Sequence, residues 1–339
     1  MTSYLYGLVV LVGVFFGVYG LAGVLRSYAL HKNIVDRPTH RSSHTADTPR
    51  GGGLSVVIVA IVCGFLSAGS EVFNYPAFLL LPLLLVAGIG VVDDIKDVSA
   101  RTRMCVQALA ALMVVYFFTI PALILPGVKV PSELVGLIAL FAVIWSINLF
   151  NFMDGINGIA SIQAILVFLC FSVLVYWEGG QTAVSAEFWL ILASACAGFL
   201  VWNFPLARIF MGDGCSGFLG LLIAIGLIDL LCASQRLFVA GLIVHGVFVI
   251  DATSTLLVRL FNREKIQNAH RDHAYQKASR CFNSHTVVTL GVGAINLFWL
   301  VPWAALVALS AVSMWVGLVA AFSLPLALAY YFKAGVKSA

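Results

Sequence analysis

Charge is what this sequence has least of. Only 10% of its 339 residues are Asp, Glu, Lys or Arg, against about a quarter in soluble domains, and 61% are hydrophobic. A water-soluble or disordered chain is thereby excluded, and the bilayer becomes the solvent. No C-x-x-C pair and no His–Cys spacing suited to zinc occurs among the seven cysteines, which sit mostly inside apolar runs and read as small apolar residues. Internal repeats, low-complexity tracts and composition breaks are also missing, so residues 1–339 read as a single integral membrane domain. The first apolar stretch lacks a basic leader and a small-residue cleavage site, and it reads as a retained span.

What is present is apolar length. Eleven stretches approach the ~20 residues a span needs: roughly 4–25, 53–70, 77–92, 104–120, 134–150, 159–177, 187–202, 215–233, 237–260, 286–308 and 311–332. They predict an all-α, polytopic transmembrane bundle of about 11 spans, or 10 if the last apolar block is merged. Placing the N-terminus outside puts 17 of the 19 basic residues in inward segments and leaves only Lys129 and Arg236 outside. The positive-inside rule therefore predicts a periplasmic N-terminus and cytoplasmic middle loops.

Those inward loops hold the polar motifs. The first carries His40-Arg41-Ser42-Ser43-His44 and then Arg50-Gly51-Gly52-Gly53. Glycines let backbone N–H groups approach a phosphate, and an adjacent Arg pairs with its oxygens, but a triple glycine entering a helix equally serves as a packing joint. The third span ends in Asp93-Asp94-Ile95-Lys96-Asp97. Clustered carboxylates at a membrane boundary need a cation or a task, and if the helix continues, Asp93 and Asp97 share a face while Asp94 points away.

The fifth span ends in Asn148, Asn151 and Asp154 at a spacing of three, followed by Gly155-Ile156-Asn157-Gly158. Polar groups on such a stripe need a helix or a ligand as partner; helix pairing suits the asparagines better than Asp154. Beyond the seventh span come Asn203, then Phe210-Met211-Gly212-Asp213-Gly214. A carboxylate between glycines at a helix mouth suits a hard cation or a helix cap. The loop after the ninth span holds His270-Arg271-Asp272-His273, a pattern suited to clamping phosphate or to acid–base work.

As an ordered set, from about residue 30 to 280, these motifs resemble the polyprenyl-phosphate N-acetylhexosamine-1-phosphate transferases, the family that includes the translocase making the first lipid intermediate of peptidoglycan. The run from His40 to Gly53 together with Arg271 is most similar to the branch that starts O-antigen or other surface polysaccharides. The resemblance implies a bundle of ten or eleven helices in the bacterial inner membrane with a cytoplasmic cleft. It implies a Mg²⁺-dependent reaction, with Mn²⁺ able to substitute, that passes a sugar-1-phosphate from a UDP-sugar to undecaprenyl phosphate and releases UMP. Membrane lipids surround such a protein, a homodimer is compatible with it, and no nucleic acid is expected.

By the same resemblance, Asp93 and Asp94 activate the lipid phosphate or support the metal, and Asp213 is the principal metal ligand, with Asp93 as a second. Arg50, Gly51 and Gly52 are assigned to substrate phosphate, and Asn151, Asp154, Asn157, Asn203 and Phe210 to the uridine pocket. His270, Arg271 and His273 are placed near the diphosphate. Two positions depart from relatives: Asp97 stands where the peptidoglycan branch has Lys, and Asn157 stands where many members have a second Asp. The rival reading is a secondary transporter, for which Asp229 and Asp251, inside predicted spans, are the candidate proton carriers.

Overall fold

The computed structural model describes residues 2–36, 47–67, 76–125, 128–179, 182–264 and 270–337. The motif from His40 to His44 lies outside the described residues. The long helices are α1 (Thr2–His31), α3 (Leu80–Lys96), α4 (Ala100–Phe117), α5 (Ser132–Met153), α6 (Ile159–Trp177), α7 (Ala186–Asn203), α8 (Asp213–Ala233) and α14 (Met314–Tyr331), with the shorter α2 (Leu54–Ser67) between α1 and α3. Between α8 and α14 lie α9 (Gln235–Val244), α10 (Gly246–Phe261), α11 (Ala274–Cys281), α12 (His285–Ile295) and α13 (Val301–Ala308). A π turn, Asn296–Leu300, joins α12 to α13. Two short antiparallel ladders complete the described structure: β1 (Val35–Asp36) with β2 (Thr48–Pro49), and β3 (Leu123–Leu125) with β4 (Val128–Val130).

Among the described residues, nine helices are long and apolar enough to cross a membrane, and α9 with α10, bent sharply at their junction, makes a tenth if the pair is one span. The all-α polytopic bundle expected from the sequence is therefore present. Two spans differ from expectation. The described α2 has 14 residues, about 21 Å at 1.5 Å per residue, short of a hydrocarbon core of about 30 Å. The stretch 237–260 bends by 75° between Val244 and Gly246. A break inside a bilayer survives only where the freed backbone finds partners, and Gln163 of α6 donates to the Val244 carbonyl at 3.0 Å.

The bundle is organised around α8, buried along almost its whole length. Small residues let neighbours approach it closely, which matters where lipid gives no hydrophobic drive between helices. A Cβ on Gly90 of α3 would lie 2.5 Å from the Asp213 carbonyl, so α3 and the start of α8 cross with backbones nearly touching. On α5, Ser146 Oγ donates to the Gly220 carbonyl of α8 at 2.7 Å. Asn148 pairs with Gln107 of α4 at 2.8 Å, the helix–helix role its spacing suggested.

The carboxylates inside the spans are structural. Asp229 accepts from the backbone N–H groups of Ala183 and Val184 at 2.8 and 2.9 Å, which fixes the entry to α7. Asp251 of α10 accepts from Ala274 and Tyr275 N–H, both at 2.9 Å, and so caps α11. A proton carrier needs a carboxylate that can change partners, and these two are fully committed.

Candidate active site

The motifs meet at one end of the bundle, where α3, α5 and α7 end and α4, α6 and α8 begin. Helix α3 stops at Lys96, and Asp97 adopts a left-handed conformation (φ 48°) as the terminating residue. Asp97 is therefore off the helical face that would have joined it to Asp93. Asp93 Oδ1 instead accepts from Val98 N–H at 2.6 Å, securing the turn into α4, and Oδ2 pairs with Arg103.

Asp94 resolves the competing readings of Asp213. Its two oxygens accept from the N–H groups of Asp213 and Gly214 at 3.0 and 3.2 Å, and Arg50 lies 3.3 Å from Oδ1. A carboxylate on α3 thus does the capping of α8, satisfying donors that a helix start leaves open and meeting its positive dipole end. The Asp213 side chain is released from capping. It faces the cavity, 3.6 Å from Arg103, which bridges Asp93 and Asp213.

The triple glycine takes its packing role. Gly52 and Gly53 donate their N–H groups to the carbonyls of Phe210 and Met211 at 2.9 and 3.0 Å. A Cβ on Gly52 would sit 2.8 Å from Ile209, and one on Gly53 would overlap Cys215. Gly51 supplies a turn at φ 88°. The expected backbone cradle for phosphate is thereby replaced by a joint that sets Arg50 against Asp94.

Between these elements lies a cavity of about 800 Å³. Of the expected residues, Arg50, Asn151, Asp154, Asn157, Asn203, Phe210, Asp213 and Arg271 line it. A recess of about 50 Å³ beside it, sharing Asn151 and Asp213, is lined by Asp93, Arg103 and Asn148. Gly51, Gly52, Asp94, His270 and His273 stand outside the lining. Asn203 is spent on architecture: it accepts from Gly158 N–H at 2.8 Å and donates to the Ile209 carbonyl at 3.0 Å. Asn157 donates to the Pro205 carbonyl at 3.0 Å, a bond an ionised Asp could not make.

Asp154 terminates α5 and opens onto the cavity. Burial, reinforced by the neighbouring charge of Asp213, pushes its carboxyl well above the usual range, and Arg50 pulls it back only in part.

The histidine motif divides. Arg271 enters the cavity with no carboxylate within ion-pair distance among the described residues. His273 is buried behind it, 3.3 Å from Asp251, and His270 stacks on His273 at 5.1 Å. Burial and the nearby His273 and Arg259 lower the His270 pKa to about 4, so at neutral pH it offers no positive charge. Of the motif's arginine and histidines, only Arg271 lines the cavity.

Sequence reasoning passed over the rest of that wall. Gln276, Ser279, Arg280 and Asn283 line the cavity, continued by Ser284, His285 and Thr286. The first four recur at i, i+3, i+4 and i+7, a polar stripe on one helical face that was open to reading. Arg103, counted only as a loop charge, is the other omission.

A hard cation of the Mg²⁺ type is held by one or two carboxylates together with substrate phosphates and water. No group of three His, Cys, Asp or Glu side chains able to hold a metal occurs among the described residues. The open carboxylate of Asp213, with Asp154 beside it electrostatically, fits a cation that arrives with its phosphates. Asp93 has its side chain within hydrogen-bonding reach of Asp213, and its oxygens also meet Val98 N–H and Arg103.

The profile described as "Glycosyl transferase family 4" matches residues 76–231. Over that segment the chain is similar to this family. A probable undecaprenyl-phosphate N-acetylglucosaminyl 1-phosphate transferase of Bacillus subtilis is 27% identical over 89% of this chain and 84% of its own length. A decaprenyl-phosphate N-acetylglucosaminephosphotransferase of Mycobacterium tuberculosis is 33% identical over 61% of this chain, which spans only 56% of that relative. A phospho-N-acetylmuramoyl-pentapeptide-transferase of Oceanobacillus iheyensis is 27% identical over 69% of this chain and 75% of its own length. The family 4 match takes in the wall from α3 to α8 with Asp93, Asp94, Asp154 and Asp213. It leaves Arg50 and the wall from Arg271 to Thr286 outside.

Proposed function

We propose that this protein transfers a sugar-1-phosphate, an N-acetylhexosamine or its 6-deoxy counterpart, from a UDP-sugar to undecaprenyl phosphate. UMP leaves, and the lipid-linked diphosphate sugar starts an O-antigen or related surface polysaccharide. The observation that carries this reading is Asp213, freed by the Asp94 cap to line a cavity that Arg271 also lines. The relatives named above act, by their names, on polyprenyl phosphates and N-acetylated sugars. The one-sided distribution of basic residues supports a site on the cytoplasmic face of the inner membrane.

Phosphoryl transfer needs alignment and charge neutralisation more than covalent help. An oxygen of the lipid phosphate attacks the sugar-bearing phosphorus, a new P–O–P linkage forms, and the bond to UMP breaks. A phosphate monoester with a second pKa near 6 is largely dianionic at pH 7, so no base is required. This suits Asp93 and Asp94, whose oxygens are spent on helix ends and on arginines. Asp213 would hold Mg²⁺, which when bound supplies charge to the transferring phosphates. Arg50, Arg103 and Arg271 orient the anions, and Phe210 with Asn151 forms the floor for the base.

The test is UMP release from a panel of UDP-sugars by the full chain in nanodiscs containing undecaprenyl phosphate. Lipid-dependent release that disappears in Asp213→Ala, with the variant still inserted and folded, is the expected result. Release that survives the substitution, or none with any donor, overturns the proposal. A phosphosugar trapped on the protein without lipid would replace direct attack with a covalent route.

A further inference from the structure

Helix α11 is too short to hold its own position. An isolated helix needs some 12 to 15 residues to be even marginal in water, and α11 has eight. Its place is set by grips from α10 and from the turn after α14, besides the bond from Tyr275 to the Phe152 carbonyl at the end of α5. In front of them, Arg271, Gln276, Ser279 and Arg280 face the cavity.

The first grip comes from α10. The buried Asp251 accepts from Ala274 N–H with one oxygen and Tyr275 N–H with the other, and Thr255 Oγ1 donates to it at 3.2 Å. Two turns along the same helix, Arg259 binds Asp272 at 2.6 Å. The second grip is the turn that follows α14. Gly335 donates to the Asp272 carbonyl at 2.8 Å, and Lys277 Nζ donates to the Lys333 carbonyl at 2.6 Å and to that of Val336. Gly335 has φ 77°, and a Cβ there would lie 2.5 Å from the Thr255 carbonyl, so the turn is fitted closely against α10.

We propose that Asp251 and the turn at Gly335 are positioning residues for the nucleotide-sugar: they aim α11, and through it Arg271 and Arg280, at the donor's phosphates. The inference rests on the donor assignment above. Recognition of phosphate by a planar guanidinium tolerates displacements of only about 0.5 Å and 10–20°, so loosening a support behind it costs binding before it costs folding. Asn at position 251 turns one acceptor into an NH₂ group facing an N–H donor, which releases one of the two capping bonds.

Asp251→Asn and, independently, Gly335→Ala are to be compared with the parent in nanodiscs by two measurements: the KM and kcat for UDP-sugar, and amide hydrogen exchange of residues 270–281. The expected result for Asp251→Asn is a KM raised about tenfold with kcat within about threefold, and weaker inhibition by UMP in proportion. Gly335→Ala should move KM the same way by a smaller factor. Exchange at 270–281 should quicken in both, with that of α5 and α8 unchanged. A merely structural role would reduce the amount of folded enzyme and leave the KM of the remainder unmoved. Unaltered exchange, or faster exchange with unaltered KM, overturns the inference. If the parent neither turns over nor binds any UDP-sugar, the donor assignment fails instead, and the exchange data alone decide whether the two grips hold α11.

Discussion

The wall formed by the ends of α3, α5 and α8 and the wall formed by α11 and the start of α12 line one cavity and meet where Tyr275 Oη donates to the Phe152 carbonyl at 2.8 Å, but they are held in different ways. The first stands on helices of 17, 22 and 21 residues packed through the membrane, and Asp94 ties α3 to α8 at its centre. The second is a helix of eight residues leading into α12; Asp251 and Arg259 reach in to it from α10, its own Lys277 donates to backbone carbonyls of the turn after α14, and its own Tyr275 donates to the Phe152 carbonyl at the end of α5. Groups that must align with a transition state gain from the stiffer support. On the proposed function, groups that admit a donor and release UMP gain from the shorter, locally held support. The difference divides the labour: substitutions in the first wall should fall on kcat and those in the second on KM.

The largest expected effect is at Asp213. Asp213→Asn should lower kcat by about 10²–10³-fold, a loss typical of removing one group that stabilises transition-state charge, while the donor KM moves far less. Steady-state UMP release at saturating lipid measures both, and a change confined to KM would erase the distinction between the walls. Next comes Arg103, the cation shared by Asp93 and Asp213. Arg103→Gln leaves two neighbouring carboxylates without it and should cost about tenfold in kcat, with Arg103→Lys retaining more because a charge remains. Equal loss in the Gln and Lys variants would mean that the fork, and not the charge, matters. In the second wall, Arg271→Gln should raise the UDP-sugar KM about tenfold with kcat nearly kept. A collapse of kcat there would place Arg271 with the first wall.

How much of this was legible follows the same division. Apolar runs marked the spans because a bilayer leaves few alternatives to a helix, and carboxylates in apolar surroundings pointed to Asp93, Asp94, Asp154 and Asp213. What each carboxylate does was not legible. Asp94 caps α8 only because Gly90 lets α3 approach a helix that starts 119 residues later. The break after Val244 carries no proline and is held by a glutamine on α6, so an unbroken apolar run concealed it. The histidine motif suggested two catalytic imidazoles, yet Asp251, 22 residues upstream, draws His273 inward and leaves Arg271 to face the cavity. Local pattern identified the chemistry of the residues, and contacts over long sequence separations assigned their duties.

The smallest effect concerns His270, on the back of the second wall. Its Nδ1 accepts from Asp272 N–H at 3.4 Å, and burial with the charges of His273 and Arg259 outweighs the pull of Asp272 and Asp251, bringing its pKa down to about 4. In the unfolded chain the same group titrates near 6.5. Between those values the unfolded state binds the proton that the folded state refuses, so stability falls as pH drops from about 6.5 towards 4 and is unaffected above that window. His270→Gln should therefore leave turnover at pH 7.5 almost unchanged and flatten the decline of Tm between pH 6.5 and 4.5. Because this ring stacks on His273, the residue before α11, the parent's α11 should loosen on acidification before α5 and α8 do, visible as faster amide exchange at 270–281 alone. Uniform loosening of all three helices would mean that the two walls share one stability, and that the division of labour drawn from their construction does not hold.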